Sequence, residues 1–231
     1  MVNRLASHYL DNVPEVDVVI LLPHPGDAEY YCGGTIAKLA HAGRSVAILD
    51  LTAGEAGSYS RAEIKLDEAD VASAALGVVW RACIRFPDGR LEDTIMSRMT
   101  VIGEIMRLSP KTVFSMNSLH AHPDSMAASV LVENACYLAG LSKLDDYLLA
   151  HRPERVVFAG GAASAAPSFV VDITDFMEQK LTALRAYTTL FADPEAEIGR
   201  VEREALRIGE LVGVQYGEAF VQRQPLCGDL L

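Results

Sequence analysis

The chain has 231 residues, 50% of them hydrophobic, which is enough for the core of one domain. Lys+Arg 20 against Asp+Glu 31 leaves a formal charge of -11, which repels nucleic acid and anionic lipid and excludes polyanions as natural partners. The four cysteines, Cys32, Cys83, Cys136 and Cys227, form no Cys-x-x-Cys pair, so reduced thiols fit better than a disulfide frame or a zinc cluster.

Met1 to Glu15 is mixed polar and lacks a signal-peptide core, and the apolar run Val18 to Pro23 is about a third of a membrane span. A cytoplasmic protein without a membrane segment is expected. Val18 to Leu22 is an unbroken apolar run, the pattern of a strand covered on both faces of a parallel sheet. Gly33-Gly34 opens a helical stretch from Thr35 to His41, and Ser45 to Leu51 reads as a second buried strand. A Gly-rich loop, Thr52 to Ser60, precedes a helix from Arg61 to Leu76. Trp80 to Phe86 reads as a short strand before the turn Pro87-Asp88-Gly89, and Thr94 to Leu108 as a helix stopped by Pro110. Strands at Thr112 to Met116, Arg155 to Gly160 and Phe169 to Ile173, and helices at Met126 to Leu138, Glu178 to Phe191 and Glu195 to Leu211, complete the reading. Repeated βα units argue an α/β fold with a mostly parallel, helix-flanked sheet, in one domain spanning 1–231.

Ligands of such sheets sit beyond the carboxyl ends of the strands. The loop after the first strand, Pro23-His24-Pro25-Gly26-Asp27-Ala28-Glu29, sets an imidazole and a carboxylate three residues apart, donors that suit zinc. Equally, Pro25-Gly26 makes a turn and Asp27 caps a helix. A later loop, Ser118 to Ser125, again joins a His to an Asp through a Pro, as His122-Pro123-Asp124, on the same predicted edge. There His120 and His122 also read as solvated loop residues, with Asp124 or Ser125 as the cap.

These motifs resemble the PIG-L/LmbE-like zinc N-deacetylases, most closely their bacillithiol-pathway branch, the N-acetylglucosaminyl-malate deacetylases. Further matches are Asp50-Leu51-Thr52 with Gly54-Glu55, Glu63-Ile64-Lys65 with Glu68-Ala69, Phe86-Pro87-Asp88, Phe169 to Ile173, and Ala186-Tyr187 with Phe191. The resemblance implies a Rossmann-like three-layer sandwich and a cleft for a glycoside or amino-sugar conjugate. It also implies a homo-oligomer, often a hexamer. His24 and Asp27 take the positions of zinc ligands, His122 that of an oxyanion or leaving-group residue, and Asp124 and Glu29 those of orienting partners. Glu55, Tyr59 and Ala165 fall on the substrate pocket.

The departures fall on the chemistry. Gly26 stands where the family has its general base, and Ser125 where it has the third zinc ligand. Zinc, expected from the family, should therefore be weakly held or absent, and ordinary deacetylation lost. Alternatively, His120 supplies the missing ligand and a rebuilt site still hydrolyses an amino-sugar or thiol-sugar amide. On this pattern Gly26→Asp with Ser125→His should restore hydrolysis. A dinucleotide-binding oxidoreductase, suggested by Asp50 at a strand end, lacks the Gly-x-Gly-x-x-Gly cradle.

Overall fold

The computed structural model describes residues 14–57, 61–118, 122–144, 149–160 and 167–224. Its strands are β1 Val18–Leu22, β2 Val46–Thr52, β3 Trp80–Phe86, β4 Thr112–Met116, β5 Arg155–Ala159, β6 Phe169–Asp172 and β7 Gly217–Gln222. Its helices are α1 Asp27–His41, α2 Ala62–Leu76, α3 Ile95–Leu108, α4 Pro123–Ala139, α5 Met177–Arg185 and α6 Pro194–Glu210.

The strands form one sheet in the order β3-β2-β1-β4-β5-β7-β6. β3, β2, β1, β4 and β5 run parallel, while β7 is antiparallel to both neighbours. Every residue of β1 and β2 is buried, and alternate side chains serve opposite layers. Val19 and Leu21 pack with α3 and α4, whereas Val18, Ile20 and Leu22 pack with α1, α2 and Tyr187. A third apolar cluster joins Ile173 and α5 to α6. The result is a three-layer α/β sandwich.

Several boundaries differ from the sequence-based ones. α1 starts at Asp27 rather than Thr35, and Gly33 and Gly34 lie inside it. A Cβ on Gly34 would stand 2.7 Å from Ile173, and one on Gly33 2.9 Å from Lys180, so the pair admits close packing and does not mark a helix start. α4 begins at Pro123, with His122 as its N-cap accepting from Asp124 N. The helix expected to reach Phe191 ends at Arg185, because Thr188 and Thr189 turn to bind Glu68. β7 was not expected. It carries a buried Glu218, which pairs with Lys180 Nζ at 2.5 Å and accepts from Gly34 N and Thr35 N.

The strand order reverses between β1 and β4, so the loops after these two strands part at their carboxyl ends. That is where an open α/β sheet forms its crevice.

Candidate functional site

Pro23 to Gly26 leave β1 in a turn that the neighbouring strand holds. Pro23 O accepts from Thr52 N at 2.9 Å and from Thr52 Oγ1 at 3.0 Å. Gly26 adopts φ 101°, in the left-handed region where only glycine is unstrained. Asp27 then opens α1, and its Oδ2 accepts from His24 N at 3.0 Å.

Three carboxylates surround the His24 ring. Its Nδ1 lies 3.1 Å from Asp27 Oδ2, and its Nε2 lies 3.0 Å from Asp88 Oδ1 and 3.2 Å from Asp124 Oδ2. The His122 ring meets His24 edge-on, with centroids 5.0 Å apart. Burial pulls the His24 pKa down, but the bond to Asp27 and the charges of Asp27, Asp88 and Asp124 outweigh it and raise the pKa to about 9.

Asp124 is held from two sides. Its Oδ2 accepts from Gly89 N at 2.8 Å and its Oδ1 from Leu91 N at 3.1 Å. Burial pushes its carboxyl up, yet these two N–H groups and His24 hold it below the usual range. It therefore acts as the anchor of His24. Asp88 Oδ2 accepts from Ala56 N, and Asp88 N donates to Glu55 Oε1, so Glu55 braces the loops after β2 and β3.

This arrangement bears on a metal ion. Two carboxylate oxygens at Nε2 fix a ring proton there. Nδ1 and Asp27 Oδ2, both acceptors, then face each other and are held together by a proton or by a cation. The donors His24, His122 and Asp124 lie within 4.8 Å of one another. One imidazole nitrogen, one carboxylate and a second imidazole nearby are donors that suit zinc. Ser125, by contrast, is buried at the start of α4.

His24, Asp27, Asp88 and His122 line a cavity of about 400 Å³, whose other walls include Lys65 and Leu190. Lys65 is buried and donates to Gly54 O at 2.5 Å. A second hollow of about 480 Å³ shares Tyr30, Tyr31 and Arg200 but contains none of the His–Asp donors, so the chemistry belongs to the first.

The sequence-based site residues divide accordingly. His24, Gly26, Asp27 and His122 share the cavity. Asp124 touches His24, and Glu55 lies behind Asp88. Tyr59, His120 and Ala165 lie outside the described residues. Asp50 is buried in a bidentate clasp from Arg81, which leaves it no free edge for a ribose. Asp88 and Leu190 were not anticipated. The turn Pro87-Asp88-Gly89 marked the first, and no local signal marked the second.

A family described as PIG-L, GlcNAc-PI de-N-acetylase, matches residues 19–136. The chain is 29% identical to a diacetylchitobiose deacetylase of Thermococcus kodakarensis, covering 88% of this chain and 81% of the relative. Among solved structures, the conserved protein TT1542 of Thermus thermophilus is 37% identical with a TM-score of 0.87, covering 92% of this chain and 96% of that one. An N,N'-diacetylchitobiose deacetylase of Pyrococcus horikoshii is 27% identical with a TM-score of 0.81, covering 88% and 82%.

Proposed function

Because the chain belongs to the PIG-L family, we propose that its cleft binds an N-acylated amino-sugar conjugate beside a metal ion and hydrolyses the amide poorly. The relatives named above include deacetylases of an acetylated sugar, which supports the ligand class. The observation that carries the reading is Gly26. It sits between His24 and Asp27, where the family resemblance asks for a carboxylate, and its backbone angle suits no other residue.

Zinc would be held by His24 Nδ1 and the Asp27 carboxylate, with His122 the imidazole beside His24 among the described residues. Bound there, it would polarise an amide carbonyl. The chain's own groups orient and anchor. Asp124 and Asp88 hold His24 by Nε2, and His122, at the N-cap of α4, faces the same cavity. A positioned base is worth about 10²–10⁴ in rate, and Gly26 supplies none.

A second reading is favoured by the grouping of His24, His122 and Asp124. On it His24, His122 and Asp124 themselves hold the ion, in place of Asp27 and a residue at 125, and hydrolysis persists. A homo-oligomer in the cytoplasm belongs to the same proposal, and sedimentation velocity decides the assembly.

Calorimetric titration with N-acetylglucosamine, with and without zinc, tests the proposal on wild type and on His24→Ala. Binding that strengthens with zinc and disappears in His24→Ala is expected. Binding indifferent to both would refute a ligand site at this cleft.

A further inference from the structure

The corner of the cleft beside Gly26 is filled. A Cβ built on Gly26 would stand 2.5 Å from Leu190 Cδ2, and 4.0 Å from the ring of the fully buried Tyr187. Carbon atoms in contact lie about 3.5–4.0 Å apart, so any side chain at position 26 would have to displace Leu190. Leu190 is half-buried and lines the same cavity as His24 and Asp27. It follows Arg185, the end of α5, by only five residues, in a turn that one carboxylate holds.

That carboxylate is Glu68, on α2. Its Oε1 accepts from Thr188 N at 2.9 Å, Thr188 Oγ1 at 2.7 Å and Thr189 N at 3.0 Å, and its Oε2 accepts from Thr189 Oγ1 at 2.9 Å. Four donors on one buried carboxylate fix the turn, since hydrogen bonds to a charged group are the stronger kind. The turn in turn fixes Leu190. Phe191, next along, lines the same wall.

We propose that Leu190, held by Glu68 as a positioning residue, determines specificity: it closes the corner beside Gly26 and presents an apolar wall to the acyl group of the ligand. Gly26 and Leu190 are then one unit. As packed, the corner holds glycine with leucine; a carboxylate at 26, already strained by its left-handed backbone, gains space beside a small residue at 190, whereas beside leucine it requires Leu190 to turn away. Restoring a base at position 26, one half of the double change that the sequence suggests, meets Leu190 first. The acyl part of this proposal rests on the amino-sugar reading of the cleft, whereas the packing part does not.

Thermal unfolding of wild type, Gly26→Asp, Leu190→Ala and the double variant tests the packing. Gly26→Asp should lower the melting temperature by several degrees. The double should melt above the temperature that the two single losses would give by addition, because removing Leu190 makes room for Asp. Additive losses would overturn the proposal. Glu68→Gln keeps the size of the side chain but weakens the clasp, and with Gly26→Asp it should show coupling of the same sign. Additivity there would remove Glu68 from its role.

Titration with N-acetylglucosamine and N-hexanoylglucosamine tests the selectivity. Leu190→Ala should shift the affinity ratio toward the hexanoyl sugar by about tenfold or more, since even one methylene counts for that much in a fitted pocket. An unchanged ratio overturns the selectivity. If neither protein binds either sugar, the amino-sugar reading and the selectivity fall together, and the thermal cycle alone decides where Leu190 sits.

Discussion

Arg81→Met removes the cation that bridges two buried carboxylates beneath the site. The Arg81 side chain is 5% exposed, and those of Glu29 and Asp50 are 0% and 1%. Arg81 Nε and Nη2 donate to the two Asp50 oxygens at 2.9 and 3.0 Å. Nη1 donates to Glu29 Oε1 at 2.5 Å and to Ser73 Oγ at 3.1 Å. Taking one partner from a buried pair costs about 3–5 kcal/mol. For a chain of this size that is a fall of about 6–20 °C in melting temperature. The loss should depend on pH. Burial raises the Asp50 pKa from 3.8 to about 6 even though Arg81 pulls it down. Without Arg81 it rises further. A carboxyl with a raised folded pKa leaves the protein most stable at low pH, and that stability is lost as pH rises through the folded pKa. Urea unfolding of wild type and Arg81→Met at pH 5 and pH 8 should therefore show the larger deficit at pH 8. A deficit below about 1 kcal/mol, or one equal at both pH values, would refute the reasoning.

Gly34→Ala should cost about 1–3 kcal/mol despite alanine's better helix propensity, because the new methyl meets three Ile173 atoms at 2.7–2.8 Å. Gly103→Ala, inside α3 where the new methyl meets nothing within 4 Å beyond its own helix backbone among the described residues, should instead gain up to about 1 kcal/mol, and urea unfolding compares the two. Glu218→Gln should lose about 3 kcal/mol or more, since Lys180 is left buried without its counter-charge; wild-type stability in that variant would contradict the pairing. Zinc added to metal-stripped protein should raise its melting temperature, by about 2.7 kcal/mol of stability at a hundred times the dissociation constant. His24→Ala and Asp27→Ala should each abolish the rise, and a rise that survives both would place the ion elsewhere.

What was legible in the sequence was what short stretches decide. Val18–Leu22 is apolar at every position, and a strand buried on both faces is the structure that such a run makes. The alternation of strands and helices placed His24 and His122 on one edge of the sheet, where their rings meet. What was hidden depends on contacts between distant segments. β7 contains Glu218, a poor strand signal until Lys180 compensates it. Gly33 and Gly34 cost helix stability locally, and only the approach of Lys180 and Ile173 explains them inside α1. The third carboxylate on His24, Asp88, arrives with the loop after β3. Leu190 over Gly26 is the clearest case. The glycine drew notice because the resemblance implies a carboxylate at its position, but the side chain that fills its corner comes from the turn after α5, and nothing local to either residue announces the other.

The most direct test of the proposed function is amine release from diacetylchitobiose by the zinc-supplemented protein, with the diacetylchitobiose deacetylase of Thermococcus kodakarensis assayed beside it. The expected result is that this chain binds the sugar and releases amine about 10²–10⁴ more slowly than the relative, the deficit of a site without a positioned base. Release at the relative's rate would contradict the proposal, and would mean that another group in the cleft does the work Gly26 cannot.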